Sequence, residues 1–176
     1  MPAVDPLLER NRVFSATGAH LGLTPTPRHG VFVISCLDAR VDPAAILGLE
    51  LGDALVMRNA GGRVTDEVVE EIAFVGYVAE RMLGDGAPPF EVVVIHHTEC
   101  ATGFLADEEF RRSFAASINA SEASLAERAV IDPAATVRAD VECLRRSHRL
   151  PSRASVSGHV YDIGTGRVRT VVSASL

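Results

Sequence analysis

The chain contains no lysine and no tryptophan, and only three of its 176 residues are cysteine. All 17 basic side chains are therefore arginine, which excludes Schiff-base chemistry and an ammonium nucleophile. Three cysteines, an odd number with no CxxC pair among them, make neither a disulfide framework nor the paired-ligand pattern of a structural zinc site. No apolar run approaches the roughly 20 residues of a bilayer span. Met1 to Leu8 has no basic start leading into an apolar core, so a cytoplasmic chain is expected. Basic runs are also missing, and 17 basic against 23 acidic side chains give a net charge of −6. With a pI near 5.5, gripping nucleic acid or anionic lipid is excluded as a main task. Neither GxxxxGK[ST] nor GxGxxG follows a strand, which removes the usual phosphate cradles.

What is present is enough apolar material for one core. A chain of this length buries roughly 70% of its unfolded surface, and 47% hydrophobic residues can fill that interior. The expectation is a single domain over 1–176, with 1–29 as an N-terminal helical arm. Asp5 and Pro6 open a helical pattern that reaches Gly22, and Thr24-Pro25-Thr26-Pro27 then forces extended backbone. Val31 to Cys36 and Phe90 to His97 read as buried parallel strands, with Ala54 to Arg58 as a second strand between them. Between them lie a short helix capped by Asp42 and a longer one from Thr65 or Asp66 to Gly84. Helical patterns follow over 107–118, 121–130 and 133–148, and 154–163 with 167–173 form a hairpin around Gly164-Thr165-Gly166. This alternation predicts an α/β domain: a mostly parallel central sheet with flanking helices and an antiparallel edge strand, without internal repeats.

Chemistry concentrates where two of these strands end. Ligands collect at the carboxyl edge of a parallel sheet where strand order reverses, and Cys36 and the His97 to Cys100 segment both sit at such ends. If the first and third strands are neighbours, two thiolates and one imidazole come within reach of one zinc ion, leaving its fourth position open as catalytic sites do. Adjacent strand residues face opposite ways, so only one of His96 and His97 can join; the spacing to Cys100 favours His97, with His96 packed in the core or orienting a ligand. Asp38 and Arg40, two residues apart beside Cys36, form a carboxylate and guanidinium pair on an extended loop. Asp38 then either takes the fourth metal position or accepts a proton from water there, and Arg40 decides by holding it away. Cys143 reads as a buried small hydrophobe beside Val137, Val141 and Leu144. His20, His29, His148 and His159 lack ligand spacing. Glu99 reads as a turn carboxylate, and Arg58 as equally suited to an interface salt bridge.

Cys36-Leu37-Asp38-Ala39-Arg40, Arg58-Asn59-Ala60-Gly61-Gly62 and His96-His97-Thr98-Glu99-Cys100, in this order and separation, resemble the signature blocks of β-class carbonic anhydrases, closest to their shorter microbial branch. The resemblance runs from about Gly30 to Val172. It implies one Zn2+ held by Cys36, His97 and Cys100, with Asp38 as a fourth ligand in a closed state, and a catalytic Asp38 and Arg40 dyad. It also implies about five strands in the sheet and homodimers that exchange N-terminal helices and build the site near their interface. Asn59, Ala60, Gly61 and Gly62 are candidates for shaping the pocket. Ala101 stands where the family usually has Gly, so the turn beside the metal is expected to differ. Without Trp, the inhibitory bicarbonate site of some members does not carry over.

The expected activity is reversible hydration of carbon dioxide to bicarbonate through zinc-bound hydroxide. Zinc with two thiolates and a neutral imidazole sums to zero charge, so its water is less acidified than in a three-histidine site, and activity should rise toward alkaline pH. Hydrolysis of carbonyl sulfide or carbon disulfide on the same fold is the nearest alternative, and a non-catalytic zinc scaffold the more distant one.

Overall fold

Val31–Cys36 (β1), Ala54–Asn59 (β2), Phe90–His97 (β3), Ala154–Asp162 (β4) and Arg167–Ser175 (β5) form one sheet in the order β2-β1-β3-β4-β5. The computed structural model describes residues 2–175; the expected domain's end residues, Met1 and Leu176, lie outside the described residues. β1 pairs in parallel with both β2 and β3, β3 pairs in parallel with β4, and β5 returns antiparallel as the edge. The sheet is thus the mostly parallel one that the apolar runs predict. Strand order reverses at β1, whose successor lies on one side and β3 on the other, and this opens a crevice at the carboxyl ends of β1 and β3.

The helices are Asp5–Ala16 (α1), Pro43–Leu47 (α2), Asp66–Leu83 (α3), Glu108–Ile118 (α4), Glu122–Glu127 (α5) and Pro133–Arg146 (α6). One face of the sheet, carrying Ile34, Val92, Val94 and Val156, buries against Ile72 of α3 and Val141 of α6. Alternate strand residues supply that face, as the two-residue period demands. α6 starts where Asp132 accepts from the amides of Ala134 and Ala135 ahead of Pro133, and it ends with Arg145 and Arg146 in the last turn, where the helix dipole favours cations. It presses close to β4: a Cβ at Gly158 would lie 2.8 Å from Val141 Cγ2 and 3.2 Å from Val137 Cγ2. Glycine lets the helix approach.

Several boundaries differ from the sequence reading. α1 ends at Ala16 rather than Gly22, because the chain turns at Thr17 and Gly18 takes φ 71°. The 121–130 pattern yields only α5, capped by Ser121. Ala101–Ala106 forms a 3-10 turn that no periodicity announced. Cys143 is exposed, not a core filler. The buried stripe of α6 runs through Val137, Asp140, Val141 and Leu144, and Cys143 lies off it.

Candidate metal centre

Cys36 ends β1, and His97 ends β3 one strand away. Ser35 is in register with Ile95, so the next residues out, Cys36 and the His96-His97 pair, reach the crevice together. Cys100 follows as the cap of the 3-10 turn. Cys36, His97 and Cys100 are buried, and their ligand atoms all lie within 4.8 Å of one another. The two sulfurs are 3.9 Å apart. Two thiolates on one tetrahedral zinc, at bond lengths of about 2.3 Å, stand about 3.8 Å apart.

The proton positions fit the same ion. His97 Nδ1 lies 2.9 Å from the Thr98 carbonyl, an acceptor, which places the proton there. Nε2 is then a bare lone pair, buried and without a hydrogen-bond partner among the described residues. Such an atom is costly unless something binds it. The thiols divide one proton between them. Cys100 is lowered to about 6 by its contact with Cys36, helped by the Thr102 hydroxyl at 3.1 Å. Cys36 is pushed up to about 11 by the same contact and by burial. An imidazole lone pair beside one ready thiolate and a second thiol makes a soft donor set suited to zinc.

Asp38 and Arg40 do pair, though in a different backbone setting from the extended loop expected. Ala39–Val41 is a 3-10 turn in which the Asp38 carboxylate caps the Arg40 amide at 2.9 Å. The guanidinium adds a fork, Nη2 to Oδ2 at 2.8 Å and Nε to Oδ1 at 3.1 Å. Those bonds hold the Asp38 carboxyl down at about 2, against a small cost of burial. Glu99 is more than a turn carboxylate. It takes Arg40 Nη1 at 3.2 Å, and its carbonyl takes Nη2 at 3.3 Å. Its backbone sits at φ 59°, so the strained residue of the turn is Glu99, while Ala101 has no positive φ and needs no glycine.

Arg58 is an internal clamp. It donates from Nε to the Cys36 carbonyl at 2.9 Å, from Nη2 to the Asp38 carbonyl at 2.8 Å and from Nη1 to Asp42 at 2.8 Å. One planar cation thus fixes both ends of the loop from Cys36 to Asp38. The Asn59 to Gly62 turn lies against Cys36 itself. The Gly61 amide donates to Cys36 Sγ at 3.3 Å, and a Cβ on Gly62 would lie 2.9 Å from the Cys36 nitrogen. Asn59 closes the turn by bonding both the amide and the carbonyl of Arg63.

His96 turns away from the Cys36, His97 and Cys100 cluster. Its Nε2 has two acceptors, the Gly62 carbonyl at 3.2 Å and Asp140 Oδ2 at 3.1 Å. Asp140, Arg63 and Thr102 are residues the sequence reading missed. Asp140 had a signal: a carboxylate on the apolar stripe of a helix needs a buried partner. His20, His29 and His148 are exposed, and His159 bonds Ser157 and Thr170 within the sheet.

A protein-family model described as carbonic anhydrase matches residues 31–112, which hold all three signature blocks. The crystal structure of a carbonic anhydrase from Streptococcus mutans superimposes with a TM-score of 0.79 at 33% identity, covering 97% of this chain and 98% of that one. The chain belongs to the β-class carbonic anhydrases. Beta-carbonic anhydrase 1 of Mycobacterium tuberculosis is 29% identical over 171 residues, covering 97% of this chain and 99% of its own. The β-class fold also hosts a second chemistry. A carbon disulfide hydrolase of an Acidianus strain is 26% identical over 162 residues, covering 79% of this chain and 76% of that protein.

Proposed function

We propose that this chain catalyses the reversible hydration of carbon dioxide to bicarbonate and a proton, with one zinc held by Cys36, His97 and Cys100. The observation that carries the reading is the buried triplet at the strand switch point, with a lone pair on His97 Nε2 and the sulfurs 3.9 Å apart. Zinc there would supply a Lewis acid that acidifies a water and so provides the attacking oxygen.

The chain's own groups divide the remaining work. Arg40 grips both carboxylate oxygens of Asp38 and keeps them from the fourth ligand position. A carboxylate held near 2 is a poor proton acceptor at neutral pH but a strong hydrogen-bond acceptor, so Asp38 orients the attacking water rather than deprotonating it. The Gly61 amide shares charge with Cys36 Sγ, and Arg58 fixes the loop. The grip of Arg40 on Asp38 argues against a closed, non-catalytic scaffold.

The finer assembly belongs to the same proposal. α1 buries none of its residues and exposes Leu7, Leu8 and Val13, while α3 exposes Phe74, Tyr77 and Met82. Apolar faces of this size need covering, and a homodimer in which residues 1–29 pack on the partner covers both. Sedimentation of the chain lacking residues 1–22 tests this; a monomer is expected. Among the described residues no helix is long and apolar enough to cross a membrane. The three free cysteines support a cytoplasmic location.

Stopped-flow carbon dioxide hydration at pH 7 and pH 9, on protein with its zinc quantified, tests the proposal. One zinc per chain with a faster rate at pH 9 is expected. The Acidianus relative favours one second reading, hydrolysis of carbon disulfide or carbonyl sulfide. One zinc with turnover of those substrates alone establishes it instead.

A further inference from the structure

Buried His96 and Asp140 and partly exposed Arg63 form a network behind the metal centre, and none of them belongs to the ligand set. The His96 side chain is wholly buried and that of Asp140 is 4% exposed. Asp140 accepts from Arg63 Nε at 2.9 Å and Nη2 at 3.0 Å, from the Val64 amide at 3.2 Å, and faces His96 Nε2 at 3.1 Å. Arg63 also donates to the Glu127 carbonyl. A buried carboxylate is tolerated only when such donors compensate its lost hydration. Here one carboxylate on α6 gathers donors from both β3 and the turn after β2.

Everything it holds converges on residues 61 to 64. His96 Nε2–H reaches the Gly62 carbonyl, and Asp140 holds the Val64 amide and the Arg63 side chain. The other side of that turn carries the Gly61 amide 3.3 Å from Cys36 Sγ, and packs Gly62 against the backbone of Ser35 and Cys36. The turn is therefore clamped from α6 on one side and presents a donor to a ligand sulfur on the other. Groups beyond the ligands that fix ligand geometry in this way typically change metal affinity 10- to 100-fold when removed.

We infer that Asp140, acting through His96 and Arg63, is a positioning residue that holds the Gly61 amide on Cys36 Sγ and so sets how tightly the centre binds its metal. This rests on the reading that Cys36, His97 and Cys100 hold zinc. Asp140→Asn keeps the shape but loses the charge that gathers the donors. Arg63→Met removes both guanidinium bonds and leaves His96 and the Val64 amide on the carboxylate. Leu144→Ala, on the same buried stripe of α6, supplies a loss of stability without touching the turn.

The experiment measures zinc dissociation constants by competition with a chromophoric chelator, and the thiolate-to-cobalt absorption bands of the Co2+-loaded proteins. Asp140→Asn is expected to weaken zinc binding about 10- to 100-fold and to shift the cobalt bands. Arg63→Met should do so to a smaller extent, and Leu144→Ala should do neither. Asp140→Asn and Arg63→Met proteins that fold and bind both metals like the parent overturn the inference. A loss of affinity in Leu144→Ala equal to that in Asp140→Asn also overturns it, since general loosening would then suffice. If Asp140→Asn fails to fold, Arg63→Met alone decides. A parent chain that binds no zinc overturns the reading beneath it, a result distinct from either.

Discussion

Arg40 meets the Asp38 carboxylate with Nη2 on Oδ2 at 2.8 Å and Nε on Oδ1 at 3.1 Å, and the Arg40 backbone amide adds a third bond at 2.9 Å. The acid is thus held by its neighbour's side chain and main chain together. This makes the roles of Asp38 and of the ligands separable by mutation.

Asp38→Asn should keep one zinc per chain and lower the carbon dioxide hydration rate about 100-fold or more, the scale of a lost polar catalytic group. Cys36→Ser should lose zinc and activity together. Metal analysis beside stopped-flow rates checks both. Equal zinc loss in the two variants would contradict the division of roles.

Arg40→Leu frees both carboxylate oxygens that the guanidinium now grips. Asp38 then competes for the fourth metal position, so zinc should remain while the rate falls about tenfold or more. Adding Asp38→Asn to Arg40→Leu removes the competitor. The double variant should therefore be no slower than Asp38→Asn alone, a coupling that a double-mutant cycle reads directly.

The strands, the crevice and the meeting of Cys36, His97 and Cys100 were legible because each rests on a local pattern: apolar runs such as Val92-Val93-Val94-Ile95, and His97 three residues before Cys100. What stayed hidden depends on contacts distant in sequence. Arg58 was equally suited to an interface salt bridge until β2 lay beside β1 and aimed it at the Cys36 carbonyl. Asp140 and Arg63 lie 77 positions apart and meet only because α6 packs on the sheet. Cys143 was misplaced because its apolar neighbours mark a stripe that it does not share. Ala101 drew notice by its type, while the strained turn residue is Glu99, whose left-handed backbone no composition reveals.

Acid should weaken the fold partly through Asp140. Burial works to raise its pKa, but the bonds from His96 and Arg63 outweigh that and hold it below the usual value. A carboxyl depressed in the folded state adds stability that is complete above its unfolded pKa of about 3.9 and is lost as pH falls through the folded value. Urea midpoints of the chelator-treated chain, taken from pH 7 down to pH 3, should therefore fall more steeply at the acid end for the parent than for Asp140→Asn. Parallel curves would show that the carboxylate gains nothing from folding.

Gly158 tests how closely α6 sits on the sheet. An alanine Cβ there would stand 2.8 Å from Val141 Cγ2 and 3.2 Å from Val137 Cγ2, and both valines are fully buried and branched, with little freedom to yield. Replacing glycine inside a strand gains about 0.5 to 1 kcal/mol of backbone entropy. Overpacking a dense core costs about 1 to 3 kcal/mol. The clash should win, lowering the melting temperature of Gly158→Ala by a few degrees, at about 2 to 4 °C per kcal/mol for a chain of this size. Val141→Ala vacates the Cγ2 position and leaves a cavity of its own, so each single change should destabilise. Together they should destabilise less than their sum, because the new methyl fills part of the space that Val141 leaves. Strict additivity in thermal denaturation would mean that α6 and β4 are not in the contact described.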